Sequence, residues 1–215
     1  LAGSDSLSAE ELDRVSQLYE GAASFRVLTG IGRPSRWPEL SGERVTTVIN
    51  ACREWADVTV IDTASSLEND EELSSDLFAP RRNAATVSAV RGADRVVAVG
   101  SADPVGLSRF LRAHTELREA AGTSDIDVVM NRVRASAIGL GPNAQIAQTL
   151  SRFGGIESPV LVPYDRQAFD AAVLSGRTVL DVAPRSTARG AIREYAARLV
   201  PAEALSAPRV RRRRS

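Results

Sequence analysis

A carboxylate that is followed closely by three hydroxyl groups is the arrangement in this chain that best suits binding or catalysis. Within segment 57–66, the apolar run Val58–Ile61 is typical of a buried parallel strand, and it ends on Asp62. Hydroxyl side chains follow at once, at Thr63, Ser65 and Ser66. Ligands of open α/β sheets bind beyond the carboxyl ends of strands, where a carboxylate suits a hydrated Mg²⁺ beside a phosphate. The alternative interpretation of Asp62 is a strand-capping residue that begins a turn.

Two further strand-like segments end in polar residues. Segment 127–132 closes on the pair Asn131 and Arg132. Segment 159–162 is followed by a proline, a tyrosine and a carboxylate, namely Pro163, Tyr164 and Asp165.

Composition excludes several classes of site. The lone histidine, His114, cannot complete a two-histidine metal site, and the lone cysteine, Cys52, excludes an internal disulfide and a multi-cysteine zinc site. All 27 basic residues are arginine, so these residues supply no P-loop lysine. The formal net charge is zero, which gives the whole chain no field that would recruit nucleic acid or an anionic membrane.

Strand-like and helix-like segments alternate along the chain. Strands are predicted at 25–28, 58–61, 95–99, 127–132 and 159–162, with a further extended segment at 176–180. Helices are predicted at 9–20, 167–174 and 187–200, with others that begin near residues 41, 84, 104 and 142. The alternation predicts an α/β fold with a mostly parallel sheet and helices on both faces. We expect one domain over residues 1–205 and a basic, disordered tail at 206–215.

The ordered set of motifs resembles the MinD/ParA family of deviant-Walker P-loop ATPases, and within it the CpaE-like proteins. Segment 58–63 resembles the Walker B strand of that family, and segment 92–99 resembles the strand after switch II. Segment 128–133 resembles its Asn-Arg motif at the base pocket, and segment 159–165 resembles its Ile-Pro-x-Asp segment. The resemblance extends over about residues 25 to 200 and implies a P-loop NTPase-like fold.

The resemblance also implies ATP and Mg²⁺ as cofactors. Asp62 would be the catalytic and metal-binding residue, because it would hold Mg²⁺ through water and help to organise the hydrolytic water. The residues that follow it would form switch II and sense the γ-phosphate, with Thr63, Ser65 and Ser66 as the contacts.

The base pocket of the family would lie at the other two strand ends. Asn131 would bond the adenine edge, since a carboxamide both donates and accepts, and Arg132 would flank the base. The opposite side of the pocket would be lined by Pro163, Tyr164 and Asp165.

Two departures from the family qualify what the resemblance implies. The Walker A motif with its two lysines is absent, and so is the glycine that follows the Walker B aspartate. We therefore expect the C-terminal part of an ATPase, which lacks the P-loop strand, is incomplete at its N-terminus and does not hydrolyse ATP by itself. The alternative is a degenerate, non-catalytic scaffold with the same fold. A receiver domain is disfavoured, because it needs a lysine for its phosphate.

The family resemblance predicts a cytoplasmic homodimer that positions a chromosome, a septum or a pilus or secretion apparatus, with protein partners from that system. The arginine-rich tail at 206–215 is compatible with weak contact to a membrane or to DNA, which leaves a peripheral membrane location open.

Overall fold

A computed structural model describes residues 7–67, 83–122 and 125–199. The chain divides into two compact units, which we describe separately. The first unit comprises Leu1–Ala98 and Ser108–Val128, and the second comprises Val99–Leu107 and Val129–Ser215. The predicted basic tail at 206–215 lies outside the described residues. Within the described ranges, no helix combines the length and apolar character needed to cross a bilayer.

The first unit begins with a helix and a β-hairpin, which further helices follow. Its early elements are helix α1 (Ala9–Val15), strands β1 (Gln17–Glu20) and β2 (Ser24–Val27), a 3₁₀ helix (Pro34–Glu39), and helices α2 (Gly42–Trp55) and α3 (Ala84–Gly92). Ser8 and Glu11 form a capping box at the start of α1, and the Ser41 hydroxyl accepts a hydrogen bond at the start of α2. Helix α2 packs against both α1 and α3.

The predicted helix over residues 9–20 is too long. Helix α1 ends where the Ser16 amide donates to the Leu12 carbonyl over 2.9 Å, and the chain then enters an antiparallel hairpin. Pairing across the hairpin places the ring of Tyr19 against that of Phe25, with 4.8 Å between the centroids. This cross-strand contact outweighs the helical spacing of Leu18 and Tyr19. The strand predicted at 25–28 therefore exists, but it pairs only locally.

The predicted buried strand at 58–61 is wrong. The segment has no regular secondary structure, and the side chains of Val58 and Val60 are 68% and 90% exposed. A strand exists through its ladder of hydrogen bonds, and no segment among the described residues pairs with this one. High strand propensity without a neighbouring strand does not bury a side chain.

The main sheet contains strands β3 (Arg95–Ser101), β4 (Asp125–Val133) and β5 (Val160–Pro163), in that spatial order. Strands β4 and β5 are parallel, with Val129 opposite Val160. The Ala102 amide, just past the end of β3, donates to the Asn131 carbonyl near the end of β4 over 2.8 Å. The carboxyl ends of β3 and β4 therefore lie side by side, which confirms the predicted parallel α/β fold.

Helices follow each of these strands. They are α4 (Pro104–Ala121), α5 (Ala135–Ile138), α6 (Pro142–Gly154), α7 (Arg166–Ser175), α8 (Val179–Val182) and α9 (Thr187–Leu199). In the second unit, Ala188 of α9 is fully buried against Val160 and Val162 of β5. The extended segment predicted at 176–180 is wrong, because Thr178 and Asp181 form a capping box that starts α8.

His114 should make the stability of the protein depend on pH. It is buried in α4, where its ring stacks on Phe110 at 5.6 Å. Burial lowers the pKa of His114, and the nearby charge of Arg118 acts in the same direction. The unfolded chain then takes up a proton near pH 6.5, where the folded chain does not, so stability is present above that pH and falls on acidification.

Urea unfolding at pH 7.5, 6.5 and 5.5 measures this effect, with His114→Gln as the control that cannot titrate. We expect the stability of the wild type to fall over this interval and that of His114→Gln to fall less. Equal pH dependence in the two proteins would show that His114 does not contribute.

Candidate functional site

A bulge interrupts strand β4 at its carboxyl end. The register with β5 shifts between Met130 and Val133, and Arg132 has a φ of 62°. Arg132 is the one non-glycine residue with positive φ in the part of the chain that the structure describes. Such a conformation costs about 1–3 kcal/mol and is concentrated at ligand sites, while bulges redirect side chains there.

The bulge fixes the orientation of the Asn131 side chain. The Arg132 backbone N–H donates to Asn131 Oδ1 over 2.8 Å, and only the oxygen of the carboxamide can accept this bond. The amide nitrogen Nδ2 has no partner among the described residues. Asn131 therefore offers a hydrogen-bond donor at the edge of the sheet, where an acceptor on a ligand could use it.

A cation–aromatic pair joins the ends of β4 and β5. The guanidinium carbon of Arg134 lies 4.8 Å from the centroid of the Tyr164 ring, and Arg134 Nη1 donates to the Arg132 carbonyl over 3.2 Å. The Tyr164 amide donates to the Val133 carbonyl over 3.0 Å. Tyr164 is thus held beside the bulge through both its backbone and its ring.

A carboxylate that the sequence analysis did not select lies beyond β3. The Ser101 hydroxyl donates to Asp103 Oδ2 over 2.6 Å, and the Gly106 amide donates to Asp103 Oδ1 over 2.9 Å. The hydrogen bond from the Ser101 hydroxyl is the main cause that holds the pKa of Asp103 below its ordinary value. The bond from the Gly106 amide and the charge of Arg134 act in the same direction. In the sequence, the pair Asp103-Pro104 indicates the start of a helix, but no pattern shows that Arg134 lies near Asp103.

The side chain of Asp165 already has a partner for each oxygen. Oδ1 accepts from the Ala168 amide over 3.2 Å and so caps α7, while Oδ2 accepts from the Ser186 hydroxyl over 2.6 Å. Pro163 ends β5 and is half-buried. The predicted contacts of Pro163 and Asp165 with a base stay predictions, and Asp165 has a structural role in addition.

Replacement of Asp165 by alanine should destabilise the chain by about 1–2 kcal/mol, because α7 loses its N-cap and Ser186 loses its acceptor. Thermal unfolding followed by circular dichroism measures the loss. Ser186→Ala is the comparison, since it removes only the second bond and should cost less. An Asp165→Ala protein as stable as the wild type would contradict the assignment of the cap.

The predicted phosphate-side residues belong to the first unit. Asp62, Thr63 and Ser65 are exposed, whereas Ser66 is half-buried and its hydroxyl accepts from Asn83 Nδ2 over 3.2 Å. The described residues contain no group of three metal-ligating side chains. An exposed single carboxylate fits Mg²⁺, which keeps several waters and binds through one or two carboxylates together with substrate phosphates.

The predicted base-side residues belong to the second unit. Asn131 and Arg132 lie at the end of β4, and Pro163, Tyr164 and Asp165 lie at the end of the neighbouring β5. The structure thus brings these residues to one edge of the sheet, as the family resemblance implied. Their contacts with a nucleotide stay predictions.

Comparisons with known proteins place the fold. No protein-family model and no curated protein matches the chain. Among the solved structures that it resembles is a ParA family ATPase from Chlorobium tepidum TLS, with a TM-score of 0.64 and 18% sequence identity. The similarity covers 92% of this chain and 78% of that chain. The chain therefore has an α/β fold similar to that of this ParA family ATPase.

Proposed function

We propose that this chain is a ParA-like relative that binds the base of ATP at the carboxyl ends of β4 and β5. The observation that carries the proposal is the strained bulge at Asn131 and Arg132, directly beside Tyr164. Strand ends of a parallel sheet are where α/β folds bind ligands, and a strained non-glycine residue there is typical of a binding site.

The chemistry of this edge suits a purine base. Asn131 Nδ2 is a donor for a ring nitrogen, and Tyr164, which is 45% exposed, offers apolar ring surface. Arg132 is exposed and would flank the base, while Pro163 adds a rigid apolar contact. Asp165 would act through α7, whose first turn it holds directly after Tyr164.

The phosphate side of the proposal rests on Asp62. Its exposed carboxylate would hold Mg²⁺ through water, and the hydroxyls of Thr63, Ser65 and Ser66 would sense the γ-phosphate. Bound Mg²⁺ would neutralise charge on the phosphates. As in the CpaE-like proteins that the sequence resembles, ATP would promote a homodimer that positions a chromosome, a septum or a secretion apparatus.

A non-catalytic scaffold with the same fold is the second candidate, and the absence of lysine favours it. All 27 basic residues are arginine, so the lysines that contact phosphate in this family have no counterpart in the 215 residues. For the same reason we expect the 215-residue chain to show no Mg²⁺-dependent ATP hydrolysis, even if it binds the nucleotide. Turnover that is abolished in Asp62→Ala would contradict this expectation.

Calorimetric titration of the purified chain with ATP and Mg²⁺ separates the two candidates. We expect binding that weakens by about tenfold in Asn131→Ala, the equivalent of one hydrogen bond. Asn143→Ala, on the exposed side of α6, is the matched control and should bind as the wild type does. An absence of binding at millimolar ATP would overturn the nucleotide proposal and favour the scaffold.

A further inference from the structure

We infer that Arg134 is a positioning residue, which holds Asn131 and Tyr164 in the geometry that recognises atom N7 of a purine. This inference rests on the proposed function, since it concerns the same edge of the sheet. Arg134 itself donates to the protein and faces an aromatic ring, so its role is to support the groups that would touch the base.

Arg134 connects the ends of β4 and β5. Its Nη1 donates to the Arg132 carbonyl at the bulge of β4, and its guanidinium lies over the Tyr164 ring beyond β5. Its charge also acts on Asp103, the carboxylate beyond β3, and lowers the pKa of that group. One side chain thus contacts the strained residue directly and ties it to the end of the neighbouring strand β5.

The bond to the Arg132 carbonyl stabilises the left-handed conformation of Arg132. In the same bulge the Arg132 amide donates to Asn131 Oδ1, at 2.8 Å, and Nδ2 is the carboxamide donor that has no partner among the described residues. A donor pairs with an acceptor, and N7 is an acceptor on the exposed edge of a purine ring. Loss of Arg134 should therefore release Asn131 and remove the contact with N7.

The test compares ATP with 7-deaza-ATP, in which a C–H group replaces N7, by calorimetric titration of the full chain. For the wild type we expect 7-deaza-ATP to bind about tenfold more weakly than ATP. In Arg134→Gln the affinity for ATP should fall to that for 7-deaza-ATP, so the ratio approaches one. Arg134→Lys keeps a cation near the Tyr164 ring, so it should still bind ATP more tightly than 7-deaza-ATP, by a smaller factor than the wild type does.

The chain offers a matched control in helix α6. The guanidinium carbon of Arg152 lies 5.3 Å from the centroid of the Phe153 ring, a similar pair that is remote from the bulge in sequence. Arg152→Gln should leave the ratio unchanged. If Arg134→Gln does not fold, Arg134→Lys is compared with the wild type in its place, and a ratio of affinities equal to that of the wild type would then overturn the inference.

The outcomes separate this inference from the proposed function. A wild-type chain that binds no ATP overturns both. ATP binding without discrimination against 7-deaza-ATP overturns the inference alone, and so does discrimination that persists in Arg134→Gln. The inference is supported if the ratio of the affinities for ATP and 7-deaza-ATP falls in Arg134→Gln, is partly retained in Arg134→Lys and is unchanged in Arg152→Gln. A general loss of stability would not act selectively on the contact with one atom of the base.

Discussion

Replacement of Gly106 by alanine is expected to destabilise the chain by about 3 kcal/mol. Gly106 lies in the first turn of α4, where an added Cβ would overlap the Ser101 carbonyl oxygen and lie 2.7 Å from Ser101 Cβ. The obstacle is backbone and short side chain, which cannot move aside as the end of a flexible side chain can. The shift should also break the bond from the Gly106 amide to Asp103.

Gly190→Ala provides the control for this substitution. Gly190 lies in α9 and has nothing within 4 Å of an added Cβ, so alanine should be tolerated there and add about 0.5–1 kcal/mol of stability through its helix propensity. Urea unfolding of both variants measures the difference. Equal stability of Gly106→Ala and Gly190→Ala would show that the close approach of α4 to the end of β3 is absent.

Replacement of Leu150 by alanine is the second large effect, about 2–5 kcal/mol. Leu150 is 0% exposed and lies with Ile146 on the buried face of α6, so its truncation leaves a cavity. Leu174→Ala removes the same atoms from a helical residue that is 88% exposed, and should change stability by less than about 0.5 kcal/mol.

Denaturant midpoints of the two variants, at a common slope, measure this contrast. A loss for Leu150→Ala no greater than that for Leu174→Ala would mean that α6 does not pack as the structure has it. Phe153, near the end of α6, is 68% exposed and marks where the buried face of this helix ends.

The main sheet could be predicted from sequence because each of its strands combines an apolar run with a helix of ordinary length on either side. Segment 58–61 has the same local pattern, yet it is exposed, because strand formation depends on a neighbouring strand that a local pattern does not reveal. The same limit explains residues 17–20, where pairing across a hairpin overrode helical spacing. Helix α8, by contrast, is determined by a local feature, the capping box of Thr178 and Asp181, which the prediction of an extended segment at 176–180 overlooked.

The candidate site was predictable in part. The order of motifs led to Asn131 and Tyr164, which the structure brings to neighbouring strand ends. Arg134 and Asp103 were missed, because their proximity arises from the order of β3, β4 and β5 and no spacing along the chain expresses it. The positive φ of Arg132 was also invisible, since it is a strain imposed by the bulge on a residue that does not favour it.

The central claim is that the edge formed by the ends of β4 and β5 binds a purine nucleotide. The most direct measurement is an NMR titration of the labelled 215-residue chain with ATP and Mg²⁺, with inorganic triphosphate as the comparison. We predict saturable shifts of the Asn131 side-chain amide and of the Arg132 and Tyr164 backbone amides with ATP, and none at these groups with triphosphate. Identical shifts with both compounds, or no shift at these three residues, would contradict the account.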